Sequence, residues 1–217
     1  MAIYPGTVQL PVTDHDLDLA VWSAIDALSV VPDEAWAKHA HGSEWSCRQV
    51  GDHLIDTMFN YAAQLGPRHP PVDGWVPYAY AEHSGGLLLS LQSDPAKGTA
   101  GLLQAFEAAA SMLAGAVRSR GPEIRAFHAL GVADPEGFAA MGCVETMAHT
   151  FDIVTALDIE WEPDAGLVSR VLFRLFRDVP KVAEPWPTFL WATGRGEIPG
   201  HGKQERWRWY SMPHTEW

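Results

Sequence analysis

Apolar residues recur every three to four positions in four long stretches of this chain, which is the spacing of an amphipathic α-helix. These stretches cover about residues 13–29, 46–66, 96–119 and 135–157. Connections of mixed length separate them, and four amphipathic helices in one chain are typical of a four-helix bundle. The pattern therefore predicts an all-α fold.

Residues that favour helix ends support these limits. Thr13 or Asp14 can cap the first helix, because their side-chain oxygens can accept a hydrogen bond from the first turn. Ser46 precedes the second helix, and Gln49 lies three residues further on, which is the spacing of a capping box. Gly-Pro pairs at 66–67 and 121–122 predict the ends of the second and third helices.

The long connection between the second and third helices, residues 67–95, contains five prolines and no sustained period. A connection of this length in a compact domain is often a lid or the wall of a pocket. Tyr78, Tyr80, Glu82 and His83 lie within it. Outside the two motifs described below, His83 is the histidine that we keep as a possible pocket residue.

The C-terminal part of the chain has a less regular pattern. A fifth helix is predicted at about 164–177, residues 189–195 fit a short helix or a strand, and residues 205–210 alternate like a strand. Five of the ten tryptophans lie from residue 186 onward, which fits a small unit packed over a larger one or a pocket wall. We therefore predict two units: a bundle domain at 1–160, and a C-terminal helix with a short Trp-rich tail at 161–217.

Composition narrows the class of protein. The 217 residues are 47% hydrophobic and 19% charged, which is enough apolar material for a packed core. The formal charge of -12 argues against a nucleic-acid partner, because phosphate contacts need clustered Lys and Arg. We find neither a signal-peptide pattern nor an apolar stretch of about 20 residues that would predict a membrane span. Cys47 and Cys143 are then expected as free thiols, and the protein as cytoplasmic.

The candidate chemistry lies on the second and fourth helices. Glu145 and His149 are four residues apart and share one helical face among apolar neighbours. Burying an unpaired carboxylate costs several kcal/mol, so this glutamate needs a cation or a hydrogen-bond network. If His53 faces the pair, two imidazoles and one carboxylate would suit a divalent metal with open coordination positions. Spacing alone leaves the polar network open as the alternative.

Two runs carry a resemblance to a known family: W-S-C-R-Q-V-G-D-H-L from Trp45, and E-T-M-A-H-T-F-D from Glu145. Together they resemble the mycothiol-dependent maleylpyruvate isomerase family of the DinB-like superfamily of helical-bundle metalloproteins. The resemblance implies a divalent metal, usually zinc, held by a histidine on the second helix and an E-x-x-x-H pair on the fourth. The matching positions here are His53, Glu145 and His149.

The resemblance also implies a reaction and its partners. A low-molecular-weight thiol such as mycothiol would be activated at the metal and would attack a small electrophilic substrate, as in an isomerase or a thiol transferase. Residues 158–217 look too short for the whole of the α/β domain that follows the helical domain in the isomerase. A metal-dependent hydrolase without a thiol stays open, as does a non-catalytic small-molecule-binding or stress-response bundle. The sequence does not determine the oligomeric state, and a homodimer is possible.

Two further residues are candidates from their own chemistry. Asp152 lies nearly one turn beyond His149 and can orient that ring through its second nitrogen. Arg195 follows the run A-T-G and is a catalytic candidate, because guanidinium binds carboxylates through two parallel hydrogen bonds. A turn position on the surface is the alternative for this arginine.

Overall fold

Four long helices form the body of the protein in a computed structural model that describes residues 10–82, 86–180 and 184–216. The helices are α1 Asp14–Leu28, α2 Cys47–Leu65, α3 Gly98–Ser119 and α4 Pro135–Ala156. Helices α1 and α2 each pack against both α3 and α4, and α3 also contacts α4. The all-α four-helix bundle predicted from the hydrophobic spacing is confirmed.

Capping residues fix where α1 and α2 begin. Thr13 forms a capping box with Asp16. At α2 the Ser46 hydroxyl accepts from the Gln49 N–H at 3.2 Å, and the Gln49 side-chain oxygen accepts from the Ser46 N–H at 2.8 Å. Just before this cap, the Ala40 N–H donates to the Trp45 carbonyl at 2.9 Å. The tight loop thereby holds Trp45 next to the first turn of α2.

The long connection contains a short hairpin that the sequence pattern did not predict. Strand β1, Ala81–Glu82, pairs antiparallel with β2, Leu88–Leu89. A short 3-10 helix, Pro95–Lys97, then leads into α3. His83 lies outside the described residues, so its proposed place in a pocket stays a prediction.

Two buried carboxylates of α2 attach the end of this connection to the bundle. Asp56 accepts hydrogen bonds from the backbone N–H groups of Ser90 and Leu91 at 2.7 and 2.9 Å. One turn earlier, Asp52 accepts from the backbone N–H of Ser93 at 3.1 Å. Because these bonds satisfy otherwise unpaired backbone donors, they fix the segment after β2 against the same helix that carries His53.

The C-terminal part adds two helices, α5 Ala165–Leu175 and α6 Pro185–Ala192. The fifth helix is confirmed, with Asp164 as its N-cap, and α6 accounts for most of the stretch that fitted either a helix or a strand. No strand forms at 205–210, where the sequence alternates like one. Trp209 is buried and the Tyr210 N–H donates to the Leu175 carbonyl at 2.8 Å, so the tail packs on the end of α5, whereas Trp207 is exposed and the alternation does not follow burial.

One hydrophobic cluster joins the bundle, α5, α6 and the tail, and α5 packs on α4. The C-terminal segment is therefore packed on the bundle, while a domain boundary at 160/161 stays a prediction. Cys47 and Cys143 are both buried in this cluster as free thiols, and burial raises the pKa of each.

One helical segment among the described residues, Pro95–Ser119, is long and apolar enough to cross a membrane by length and composition alone. A buried core helix passes the same test. In this fold α3 packs against α1, α2 and α4 and buries its apolar side in the bundle, so the feature is weak support for a membrane span.

Candidate metal centre between two clefts

Helices α2 and α4 bring together the three residues predicted as metal ligands. His53 Nε2 lies 3.7 Å from Glu145 Oε2, and His149 Nε2 lies 3.3 Å from the same oxygen. One potential ligand atom from each residue lies within 4.8 Å of the other two. Ligand atoms on a shared tetrahedral zinc ion are about 3.4 Å apart, so the donors converge at nearly the required spacing. Metal binding itself stays a prediction.

The protonation of the cluster follows from its buried contacts. Burial favours the neutral form of Glu145, but hydrogen bonds from His149 and His53 outweigh it and hold the pKa of this carboxyl well below its usual range. Burial also disfavours charge on His149, yet its contacts with Asp152 and Glu145 raise its pKa to about 9. Without a metal, His149 therefore holds a proton between two carboxylates. A metal would have to displace that proton, because an imidazole ligand must be neutral.

An ion pair lies behind His149. Asp152 Oδ2 is 3.1 Å from His149 Nδ1, so the carboxylate that the sequence placed near this ring does face its second nitrogen. Arg195 then donates two parallel hydrogen bonds to Asp152, at 2.8 and 2.7 Å. Burial raises the pKa of Asp152, but the bonds from His149 and Arg195 outweigh it and lower that pKa overall.

Arg195 occupies a different position from either of the two predicted for it. Its side chain is only 15% exposed, so it is not a surface turn residue. The paired donors that would grip a substrate carboxylate are engaged by Asp152, and Nη1 donates to the Thr193 carbonyl at 3.0 Å. In this arrangement Arg195 orients Asp152, which in turn faces the His149 ring.

A neutral network lies behind Glu145. The Tyr61 hydroxyl donates to Glu145 Oε1 at 3.5 Å, and His128 Nε2 lies 3.4 Å from that hydroxyl. His128 Nδ1 accepts from the Leu130 N–H at 3.1 Å and lies 3.1 Å from the Ser211 hydroxyl. An accepting Nδ1 places the ring proton on Nε2, where it can be donated to Tyr61. Burial lowers the pKa of His128 to about 4, which keeps the ring neutral.

The sequence analysis did not identify Tyr61 or His128 as part of the site. Tyr61 had a detectable signal, since it lies eight residues after His53 and therefore two turns along the same face of α2. His128 had none, because it lies in a loop whose position depends on contacts with α2 and the C-terminal tail.

Two clefts open on different sides of the triad. The first, which we call the polar cleft, has a volume of about 490 Å³. His149, Asp152 and Arg195 line it, together with His41, Lys203 and Trp207. The His41 N–H donates to the Asp152 backbone carbonyl at 2.9 Å, which holds one wall of the cleft on α4.

The second, which we call the apolar cleft, has a volume of about 620 Å³. His53 and Glu145 line it with Trp45, Tyr61, Trp75, Leu87, Leu89 and His128. The long connection thus supplies part of a pocket wall. Trp45 lines both clefts, and its ring centroid lies 5.3 Å from that of His53. This tryptophan, the first residue of the W-S-C-R-Q-V-G-D-H-L run, therefore borders both openings.

Comparison with known proteins agrees with this geometry. The family model of the mycothiol maleylpyruvate isomerase N-terminal domain matches residues 19–154, which contain all three converging residues. The chain belongs to this family. A search among curated proteins found no significant match.

A solved structure extends the similarity beyond the bundle. The crystal structure of a histidine-to-alanine mutant of mycothiol-dependent maleylpyruvate isomerase matches with a TM-score of 0.56 and 14% sequence identity. The match covers 90% of this chain and 98% of that chain. It shows a shared DinB-like helical fold. The expectation that residues 158–217 are too short for the isomerase's C-terminal domain finds no support in this coverage.

Proposed function

We propose that this protein is a metal-dependent enzyme that uses mycothiol or a similar low-molecular-weight thiol on a small electrophilic substrate, as an isomerase or a thiol transferase. The observation that carries the proposal is the convergence of His53, Glu145 and His149 where the two clefts meet. Membership of the mycothiol maleylpyruvate isomerase family supports the choice of thiol. The free, buried cysteines are consistent with a reducing, cytoplasmic location.

The donor set fits a divalent metal, with zinc as the first choice. Two imidazole nitrogens and one carboxylate oxygen form the usual three-ligand set of a catalytic zinc site, which leaves a fourth position open. Asp152 on His149 Nδ1 is the kind of outer carboxylate that fixes the ring of a histidine ligand. A metal held there would supply a positive charge that lowers the pKa of a bound thiol or water.

The residues around the site would position the two reactants. The polar cleft, with Lys203 and Arg195 in its wall, suits a hydroxyl-rich thiol, and the apolar cleft gives access from the side of His53 and Glu145.

The sulfur of the thiol would add to the electrophilic carbon of the substrate. In a transferase the thiol remains in the product. In an isomerase it is expelled after rotation about the bond that the addition has made single.

The test combines metal content with a thiol-dependence assay on the full chain. We expect about one equivalent of zinc or a related metal in the native protein, and consumption of an electrophile only when mycothiol is present. The variant carrying His53→Ala, Glu145→Ala and His149→Ala should lose both properties and keep its helical circular dichroism. His15→Ala, which changes an exposed histidine of α1, is the matched control and should keep both.

Other outcomes would favour the alternatives. Metal-dependent turnover without any thiol would replace the proposal with a hydrolase. Metal-free protein that takes up no metal on reconstitution would leave a non-catalytic bundle with a polar core.

A further inference from the structure

The charged groups on the walls of the apolar cleft limit what it can bind. Among the described residues that line this cleft, none is Lys or Arg, and the carboxylates are Asp56 and Glu145. Asp56 already accepts from two backbone N–H groups, and Glu145 faces His53 and His149. A ligand carboxylate entering beside Asp56 would meet a like charge and no lysine or arginine, so it would leave water without gaining a cation.

The remaining walls of the cleft are suited to an apolar group. Leu87, which directly precedes β2, and Leu89, its last residue, are 9% and 4% exposed and line the cleft. Trp75 is 40% exposed, and its ring centroid lies 5.6 Å from that of His128 in an edge-on arrangement. Trp45 supplies a further aromatic surface beside His53. Aromatic and branched apolar side chains around one opening are typical of a site for an apolar or aromatic ligand.

Neutral polar groups at the base of the cleft complement such a ligand. Thr57 Oγ1 lies 3.5 Å from His53 Nε2, and Asn60 and Tyr61 follow on the same side of α2. Of these groups, the Thr57 hydroxyl can donate to a ligand carbonyl oxygen without adding charge. The polar cleft, by contrast, contains Arg195 and Lys203 together with the carboxylates of Asp152 and Glu197.

We propose that the apolar cleft binds an uncharged apolar portion of the substrate, of the arylalkyl-ketone type, and that hydroxyl-rich groups bind in the polar cleft. The proposal rests on the proposed function only in calling this ligand the electrophile. It assigns the two clefts to chemically different molecules. It also predicts that a small dicarboxylate is a poor ligand for the apolar cleft.

Binding can be measured without any reaction. We would titrate the full chain as purified, without thiol, by calorimetry with two saturated ketones, 4-phenylbutan-2-one and 4-(4-carboxyphenyl)butan-2-one. Neither has an electrophilic double bond, so no adduct can form. The neutral ketone should bind at least about tenfold more tightly, because the added carboxylate must leave water without gaining a cation.

Matched tryptophan variants locate the site. Trp75→Ala should weaken binding of the neutral ketone about tenfold, and Trp75→Phe should restore most of it, because an aromatic surface is retained. Trp22→Ala removes a comparably exposed tryptophan of α1, far along the chain from both clefts, and should leave the affinity unchanged.

Several results would overturn the assignment. Equal affinity for the two ketones would do so, as would no binding of the neutral ketone at millimolar concentration. A loss of affinity in Trp207→Ala but not in Trp75→Ala would move the apolar ligand to the polar cleft. A failure of thiol-dependent turnover would instead refute the proposed function, and this binding measurement would remain valid.

Discussion

Glu145 and His149 lie one turn apart on α4, yet the groups that support them are chemically different. Behind His149 stands an ion pair, in which Asp152 faces the ring and Arg195 binds Asp152 with two hydrogen bonds. Behind Glu145 stands a neutral chain of Tyr61 and His128. The difference follows from what each residue must do. A carboxylate needs a hydrogen-bond donor, whereas an imidazole needs a group that selects its tautomer and increases its basicity.

Both supporting networks end in the C-terminal part of the chain. Arg195 follows α6, and Ser211, which lies 3.1 Å from His128, belongs to the tail. The segment that the sequence pattern described least well therefore contacts both sides of the candidate metal centre. The bundle supplies the candidate ligands, and the C-terminal segment holds them in place.

Disrupting the ion pair between Asp152 and Arg195 should have the largest effect on stability and zinc affinity. In Asp152→Asn, Arg195 loses its ionic partner and His149 loses its carboxylate acceptor. We expect the free energy of unfolding to fall by about 3 kcal/mol, and zinc affinity to fall about 10- to 100-fold. Urea denaturation and a chelator competition titration measure the two effects.

A second buried ion pair provides the control for this variant. Asp16 pairs with Arg170 away from the site, and its side chain is as buried as that of Asp152. Asp16→Asn should lower stability but leave zinc affinity unchanged. Equal zinc affinities in both variants and the native protein would show that Asp152 and Arg195 do not support His149 as a metal ligand.

The neutral network behind Glu145 predicts that the folded protein loses stability in acid. Because burial lowers the pKa of His128 to about 4, the unfolded chain binds a proton that the folded state does not between about pH 6.5 and 4. Stability is therefore lost as pH falls through this window, by up to about 3 kcal/mol from this residue.

His128→Gln tests that prediction, because it removes the titrating ring and keeps polar atoms. Its free energy of unfolding should fall less steeply than that of the native protein between pH 7 and 4. Parallel curves for the two proteins would mean that His128 titrates normally.

The ion pair behind His149 predicts a pH dependence of metal binding that has the same sign but lies at higher pH. Metal-free His149 has a pKa of about 9, so below that pH a metal must displace a proton. Zinc affinity should rise about tenfold per pH unit between pH 7.5 and 9 and then level off. Calorimetry in two buffers of different ionisation enthalpy should count about one proton released. A zinc affinity that does not change between pH 7.5 and 9 would contradict the conclusion that metal-free His149 holds a proton.

Removing the Tyr61 hydroxyl from the neutral network should have the smallest effect on stability and zinc affinity. Tyr61→Phe removes one hydroxyl that donates to Glu145 and faces His128. We expect a loss of about 1 kcal/mol in stability and a few-fold loss of zinc affinity. Tyr78→Phe, at an exposed position, is the control. A loss of zinc affinity as large as that of Asp152→Asn would show that the two networks are equally important.

Much of the fold and the core of the site could be predicted because their causes are local. The 3.6-residue period located α1 to α4, and capping residues located the starts of α1 and α2. Helical spacing placed Glu145, His149 and Asp152 on one side of α4, where the distances now found follow directly. The position of His53 on α2 was also evident, although its approach to α4 depended on the packing of the bundle.

The remainder was decided by tertiary structure. Arg195 reaches Asp152 across 43 residues, and Ser211 reaches His128 across 83. The strand-like alternation at 205–210 forms no strand for the same reason, since the Tyr210 N–H bonds to the Leu175 carbonyl at the end of α5. The sequence by itself determined the helices and the residues available as ligands, because turns and helical faces depend on neighbours three or four residues away. Only the tertiary structure decided the two clefts and the two supporting networks, because they depend on contacts between segments whose sequence spacing contains no repeating pattern.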